Sequence, residues 1–316
     1  MKVSLLIPVY GVEKYIERCA VSLFEQTYPD LEYIFVDDCT LDRSIDILLS
    51  VADRYPGRKA RLRIIRQKTN GGVGAARAAA IDAATGDCLM HVDSDDYIAP
   101  QAVESLVRKM EETGADIVDG GWQRVTAEGL SEPVSPCPID NEKRYLGLML
   151  CQNVVSNRMW GRLFKRRLYT DNGINLVPGI DYCEDFSIMT RLLFYARRAW
   201  IDDVVYFYSD ENAASYTHTV SPKHIRSFIR SNALVLDFFT RNDPEGRFLT
   251  PLQIGMINVL RTVRRDGFGF DEADRLLPYR PKGLLFRMLD AMFRGRCPYL
   301  IAEKTYLAVR RLYTLC

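Results

Sequence analysis

A mostly parallel α/β sheet flanked by helices, with a helical C-terminal region, is the fold the sequence predicts. Three observations carry it. Over residues 1–100, short apolar runs alternate with segments whose apolar residues recur at helical spacing, the pattern of strands joined by crossover helices. Every strand so identified ends on a polar or glycine-rich group. From Ser221 onward only helical patterns occur.

The elements follow in order. "KVSLLIPVY" is apolar and too short for a helix, so it reads as the first strand. "VEKYIERCAVSLFEQT" sets Val12, Ile16, Cys19, Ala20 and Leu23 along one helical face. "LEYIFV", "RLRIIR" and "DCLMHV" are the next strands, separated by the amphipathic "DRSIDILLSVADRY" and the alanine-rich "GAARAAAIDAA". In such sheets ligands bind at the carboxyl ends of the strands. Those ends carry Pro8-Val9-Tyr10, Asp37-Asp38, Asn70-Gly71-Gly72 and Asp93-Ser94-Asp95. Beyond Pro100, "PQAVESLVRKMEETG" is a helix opened by proline and "ADIVDGGWQRV" a strand. Residues 126–140 contain three prolines and read as a loop. "YLGLMLC" and "EDFSIMTRLLFYARR" are helical, and "AWIDDVVYFYS" is a strand.

Composition narrows the class. The chain has 316 residues, 47% apolar and 26% charged, ordinary for a soluble globular protein. A net charge of +1 gives no general attraction to nucleic acid. The start, "MKVSLLIPVYGVEKY", lacks the apolar run and cleavage site of a secretion signal. No stretch reaches the roughly 18 apolar residues of a spanning helix. Eight scattered cysteines form no CxxC, which signals neither a zinc site nor a redox pair. Free thiols in a reducing cytoplasm are the expectation. A homo-oligomer is compatible with this composition.

Five motifs bear on chemistry. "HVDSDDY" sets Asp93, Asp95 and Asp96 at the end of a buried strand, where like charges repel. A divalent cation resolves the repulsion, since Mg2+ and Mn2+ take oxygen ligands and are commonly held by one or two carboxylates plus substrate phosphates. A phosphatase of the haloacid dehalogenase type also has a DxD after a strand, but on its first strand and without a tyrosine at the position of Tyr97. "VDDCTLD" offers Asp38 to a base imide or a ribose hydroxyl, and Asp42 as a helix cap. "NGGVGAAR" is a glycine turn before a helix that lets backbone approach a ligand, with Arg77 facing a phosphate or carboxylate; its spacing is not that of a dinucleotide fingerprint. "CEDF" opens a helix with Glu184 and Asp185, which serve either as dipole partners or, for one of them, as a general base. "NRMWGRLFKRRLY" interleaves basic and aromatic residues, and Trp160 in it reads first as core.

Together "SLLIPVYG", "LEYIFVDDCTLDRS", "NGGVGAAR" and "GDCLMHVDSDDYIAP", in this order and spacing, resemble family 2 glycosyltransferases of the nucleotide-diphospho-sugar (GT-A) fold. The resemblance is strong over residues 1–125 and fades after about 216. It implies a catalytic domain over 1–216 and a helical region over 217–316. It further implies an inverting transfer from a nucleotide sugar, such as a UDP-sugar, to a saccharide or lipid-linked saccharide acceptor. By the resemblance, Tyr10 of the Pro8-Val9-Tyr10 motif would stack on uracil and Asp38 would hydrogen-bond it. Asn70 and Arg77 would line the nucleotide side. In the Asp93-Ser94-Asp95 turn, Asp93 would reach the ribose and Asp95 would hold Mg2+ or Mn2+. Asp185 would be the general base, Glu184 would cap its helix or orient a neighbour, and Trp160 would lie near the donor sugar or acceptor. Gly11, Cys39, Ala78 and the Gly161-Arg162 pair depart from the family pattern. A metal-dependent phosphohydrolase and a non-catalytic sugar-nucleotide binder stand as alternatives.

The C-terminal stretch is set apart by charge. From 280 to 316, eight Lys or Arg stand against two Asp or Glu, a net of +6 in a chain of net +1, so the remainder is acidic. "GLLFRMLDAMFRGR" and "TYLAVRRLYTL" combine apolar residues with arginines, which suits either a peripheral helix on the anionic inner face of a membrane or a cap packed on the catalytic domain.

Overall fold

The computed structural model describes residues 1–152, 154–210 and 221–315. In chain order the elements are β1 (Val3–Val9), α1 (Ile16–Phe24), β2 (Leu31–Asp37), α2 (Ser44–Asp53), α3 (Pro56–Lys59), β3 (Leu62–Arg66), α4 (Val73–Ala83), β4 (Cys88–His91), β5 (Tyr97–Ile98) and α5 (Ala102–Thr113). There follow β6 (Ile117–Thr126), β7 (Gly129–Leu130), α6 (Glu142–Leu150), β8 (Arg162–Lys165), α7 (Arg167–Thr170), α8 (Glu184–Leu193), β9 (Arg198–Ser209), α9 (Pro222–Asn242), α10 (Leu249–Arg265), α11 (Phe270–Leu276), α12 (Leu284–Arg294) and α13 (Tyr299–Leu315).

The described residues form two compact units. The first holds 1–140, 158–179 and 195–210; the second holds 141–152, 154–157, 180–194 and 221–315. The expected boundary at 216/217 lies outside the described residues, but a single cut there does not describe the packing. α6 and α8 precede it in sequence and pack with α9 and α10. Their apolar faces explain this: α6 buries Tyr145, Leu146, Leu148 and Met149, and α8 buries Phe186, Ile188, Met189 and Leu192.

The first unit is built on one nine-stranded sheet, β3-β2-β1-β4-β8-β6-β9-β5, with β7 paired to β6. The first four strands run parallel, as their crossover helices require. Val9 lies opposite Asp37, and Asp37 opposite Arg66, so these strands finish at one edge. Beyond β4 the sheet is mixed: β8 is antiparallel to β4 and β6, while β6 and β9 are parallel. β8, cut from "GRLFK", is a strand with no signal in the sequence reading, because four residues are too few to display a period.

β1, third in the strand order, is buried on both faces. Leu5, Ile7 and Val9 join a core with Ile16 and Leu23 of α1, Leu48 of α2, and Val103 and Leu106 of α5. Against the other face, α4 packs on β1 and β2 through Gly74, Ala76 and Ala80, small residues that bring its axis close. Pairing of β1 with β4 ends at Leu6 and His91. Pro8, which has no N–H to donate, sits just past that point, where the loss costs no ladder bond to β4.

Candidate functional site

The turn at 93–96 answers the charge question raised by three adjacent acids. Arg77, almost wholly buried on α4, donates from Nη2 to Asp93 Oδ1 at 2.6 Å. Asp96, 1% exposed, accepts from Tyr206 Oη at 2.7 Å and from the Ser209 amide at 2.7 Å. Burial, together with the neighbouring Asp95 and Asp93, pushes the Asp96 carboxyl well above the usual range. The Tyr206 hydroxyl also accepts from the Asp93 amide at 3.0 Å. Arg18 reaches the Asp95 carbonyl at 3.4 Å and Ser209 Oγ at 3.0 Å. One acid is thus paired with a cation and one is buried against β9. Asp95 remains half-exposed on the turn between them, and Ser94 is buried. Tyr206 and Ser209 were missed by the sequence reading; more than a hundred residues separate them from the turn they hold.

Beside this turn the glycine loop is organised by Asp38. Its side chain, 3% exposed, accepts from the Gly71 amide on Oδ1 at 2.7 Å and from the Gly72 amide on Oδ2 at 2.8 Å. Asn70 Nδ2 donates to the Asp38 carbonyl at 3.2 Å. The carboxylate thereby faces the first turn of α4, where unsatisfied amides favour negative charge. Gly72 has φ +82, so the loop needs glycine there. Cys39 adopts φ +60, the left-handed conformation that a glycine would take without strain. Tyr10 stands at the end of β1 with 53% of its surface exposed, an aromatic face not used by the core. Asp42 stands one residue before Arg43, the N-cap of α2, and accepts from Ser44 N at 3.0 Å, from Ser44 Oγ at 2.6 Å and from the Glu13 amide at 2.9 Å. Although burial opposes it, these bonds hold its pKa below the usual value.

Trp160 is partly buried and packs against the core through an aromatic group. Its ring stacks on Tyr206 at 4.5 Å and on Tyr208 at 5.5 Å, and meets Trp122 edge-on at 5.3 Å. The next residue, Gly161, has φ +68, and a Cβ there would stand 3.3 Å from Tyr206 Cβ. Arg162 is fully buried and pairs with Asp119, which Arg198 also reaches at 2.9 Å. Arg158 donates to the Gly120 carbonyl at 2.7 Å, and its guanidinium lies over the Trp160 ring. The Gly161-Arg162 departure is therefore built into the backbone turn and a buried ion cluster.

Glu184 and Asp185 lie in the first turn of α8, in the second unit. Its N-cap, Cys183, has φ +62, and Ser231 Oγ of α9 donates to the Cys183 carbonyl at 2.6 Å. The other candidates, Pro8, Tyr10, Asp38, Asn70, Arg77, Asp93, Ser94, Asp95 and Trp160, all belong to the first unit. Among the described residues no group of three or more His, Cys, Asp or Glu side chains is arranged to hold a metal alone. The oxygen donors at 93–95 suit Mg2+ or Mn2+ when a diphosphate completes the shell.

A family model, Glycosyl transferase family 2, matches residues 4–173. The chain is 40% identical over 223 residues to the uncharacterized glycosyltransferase EpsJ of Bacillus subtilis (strain 168), covering 68% of this chain and 62% of that protein. It is 26% identical over 236 residues to the poly(ribitol-phosphate) beta-N-acetylglucosaminyltransferase TarS of Staphylococcus aureus (strain Mu50 / ATCC 700699), covering 73% of this chain and 39% of TarS. The matched stretch thus spans less than two thirds of either relative. In structure, S. aureus TarS 1-349 in complex with UDP-GlcNAc aligns over 100% of this chain and 92% of its own, with a TM-score of 0.64 at 19% identity. The mannosyltransferase PcManGT from Pyrobaculum calidifontis, in complex with GDP-Man and Mn2+, aligns over 99% and 87% with a TM-score of 0.51 at 17% identity. At these identities the structural likeness speaks to the fold.

Proposed function

Because the chain belongs to glycosyl transferase family 2, we propose that it is an inverting glycosyltransferase that moves a sugar from a UDP-sugar to a saccharide or lipid-linked saccharide acceptor in cell-surface polysaccharide synthesis. The observation that carries this reading is convergence at one sheet edge. An exposed Tyr10, the Asp38-braced glycine loop and the Asp93-Ser94-Asp95 turn end neighbouring parallel strands. Tyr10 offers its face to a uracil ring. Asp38 fixes the glycine loop beside which the base would lie. Arg77 orients Asp93 toward the ribose. Asp95 holds Mg2+ or Mn2+, which when bound supplies positive charge to the departing diphosphate. The half-buried Trp160, backed by the buried Tyr206 ring, offers an aromatic face to a sugar ring. An acceptor hydroxyl attacks the anomeric carbon, the bond to the diphosphate oxygen breaks, and Asp185 takes the hydroxyl proton.

The test is nucleotide release. Incubation with a panel of UDP- and GDP-sugars and Mn2+ is expected to liberate UDP. Phosphate release from simple phosphoesters with no nucleotide release would make the protein a hydrolase. Tight UDP binding without any transfer would make it a binding protein.

A peripheral membrane contact belongs to the same proposal. No described helix is long and apolar enough to cross a membrane. α12 and α13 nevertheless expose Leu284, Leu300 and Leu312 at 86%, 68% and 66%, beside Arg287, Lys304 and Arg311. Basic residues near an anionic leaflet contribute about 1 kcal/mol each. The protein is expected to float with phosphatidylglycerol-containing liposomes at low salt. Retention at the bottom of the gradient would make these helices an ordinary half-buried cap.

A further inference from the structure

The second unit carries a partly open cavity of about 430 Å³, within the range of about 300–1,000 Å³ usual for small-molecule sites. Its wall has two characters. Phe228 and Tyr182 present aromatic surface, while Gln152 and Asn258 present primary amides and Arg261 and Arg265 present guanidinium groups. The amides belong to a head-to-tail chain. Arg261 Nη1 donates to Asn258 Oδ1 at 3.2 Å, Asn258 Nδ2 to Gln152 Oε1 at 2.7 Å, Gln152 Nε2 to Asn232 Oδ1 at 2.6 Å, and Asn232 Nδ2 to the Phe228 carbonyl at 2.9 Å. A single direction of donation fixes which face of each amide is oxygen and which is nitrogen. Gln152, Asn258 and Asn232 are all at least nine-tenths buried. Asn258 retains a further N–H and a further lone pair.

Backbone conformation marks the same place. Among the described non-glycine residues, only Cys39, Gln152 and Cys183 have positive φ, and the last two both line this cavity. Residues held in sparsely populated conformations cluster at functional sites because the surrounding structure must over-determine them. Here Ser227 and Ser231 of α9 do so, bonding Tyr182 and the Cys183 carbonyl. Asp185 follows two residues later in the same chain segment.

We propose that this cavity receives a neutral sugar residue of the acceptor. Aromatic faces bind the C–H faces of a sugar ring, and oriented amides bind its hydroxyls. A phosphate is disfavoured because both cations have carboxylate partners. Arg261 pairs with Glu303 at 3.0 Å and Arg265 with Asp266 at 2.6 Å. The proposal rests on the transferase reading, and adds a region for the acceptor whose lining, apart from Asn157, Cys183 and Phe186, lies outside the sequence motifs.

Saturation-transfer NMR on the full chain tests it, with UDP and Mn2+ present to occupy the donor side. The probes are methyl β-D-glucopyranoside, methyl N-acetyl-β-D-glucosaminide and, as the anionic counterpart, glycerol phosphate. The neutral glycosides are expected to receive saturation from the wild type. Thr262→Trp, which fills the cavity from α10, and Phe228→Ala, which removes one ring, are each expected to weaken that binding about tenfold, the effect of losing one good contact. UDP affinity in both variants is expected to stay at the wild-type value, which also reports that they are folded. Unchanged glycoside signals in a UDP-binding variant, or binding of glycerol phosphate alone, would overturn the proposal. Glycoside binding that is lost in the variants, in a protein that releases no UDP from any nucleotide sugar, would count against the transferase reading and leave the cavity assignment standing.

Discussion

Asp185→Asn is expected to leave UDP-sugar binding near the wild-type value while lowering transfer about 10²–10⁴-fold, the loss typical of a positioned general base. The argument is one of commitment. Asp93 is paired with Arg77, and Asp96 accepts from Tyr206 and Ser209. Asp38 is engaged by the Gly71 and Gly72 amides. Asp95 is the carboxylate proposed for the metal. None of these is suited to take a proton from the attacking hydroxyl. Glu184 and Asp185 are neighbours in a first helical turn, and adjacent residues on a helix point about 100° apart, so a single reacting centre is served by one of them. Glu184→Gln is the matched control. Steady-state kinetics with calorimetric UDP-sugar binding separates the outcomes. If Glu184→Gln is inactive and Asp185→Asn retains a near-normal rate, the two roles are exchanged.

Asp95→Asn is expected to abolish detectable transfer and to remove the Mn2+-dependent part of UDP binding. An amide keeps the shape of the carboxylate but loses the negative charge that a hard cation requires. The carboxylate sits half-exposed on a turn whose backbone is tied down by Arg18 and Tyr206, so the substitution is not expected to disturb folding. Calorimetric titration of UDP with Mn2+ and with EDTA is the measurement. Wild-type affinity dropping in EDTA to the level of the variant supports the assignment. Full activity of Asp95→Asn in EDTA would show that the turn does not bind metal.

Much of this molecule is determined locally. Apart from the short α3 and β5, which have too few residues to show a period, the strand and helix order of residues 1–113 follows from period and length, because β1, β2 and β4 are buried runs and α1 and α5 have one apolar face each. The gathering of Tyr10, Asp38, Gly71 and Asp93 at one edge also follows, since parallel strands must end on the same side. Free cysteines, expected from their scatter, are what the described residues contain. Other features came only with the tertiary structure. The sequence displays three repelling acids at 93–96, but their partners Arg77, Tyr206 and Ser209 come from α4 and β9, and no local pattern encodes a contact over such separations. Asp38 read as a ligand-binding group, yet its bonds to the glycine amides depend on how β2 and α4 meet. The membership of α6 and α8 in the second unit was equally hidden, because an amphipathic helix specifies that one face will be covered but not by which neighbour. Local chemistry fixes which elements form and which groups they carry; long-range packing decides which of those groups meet.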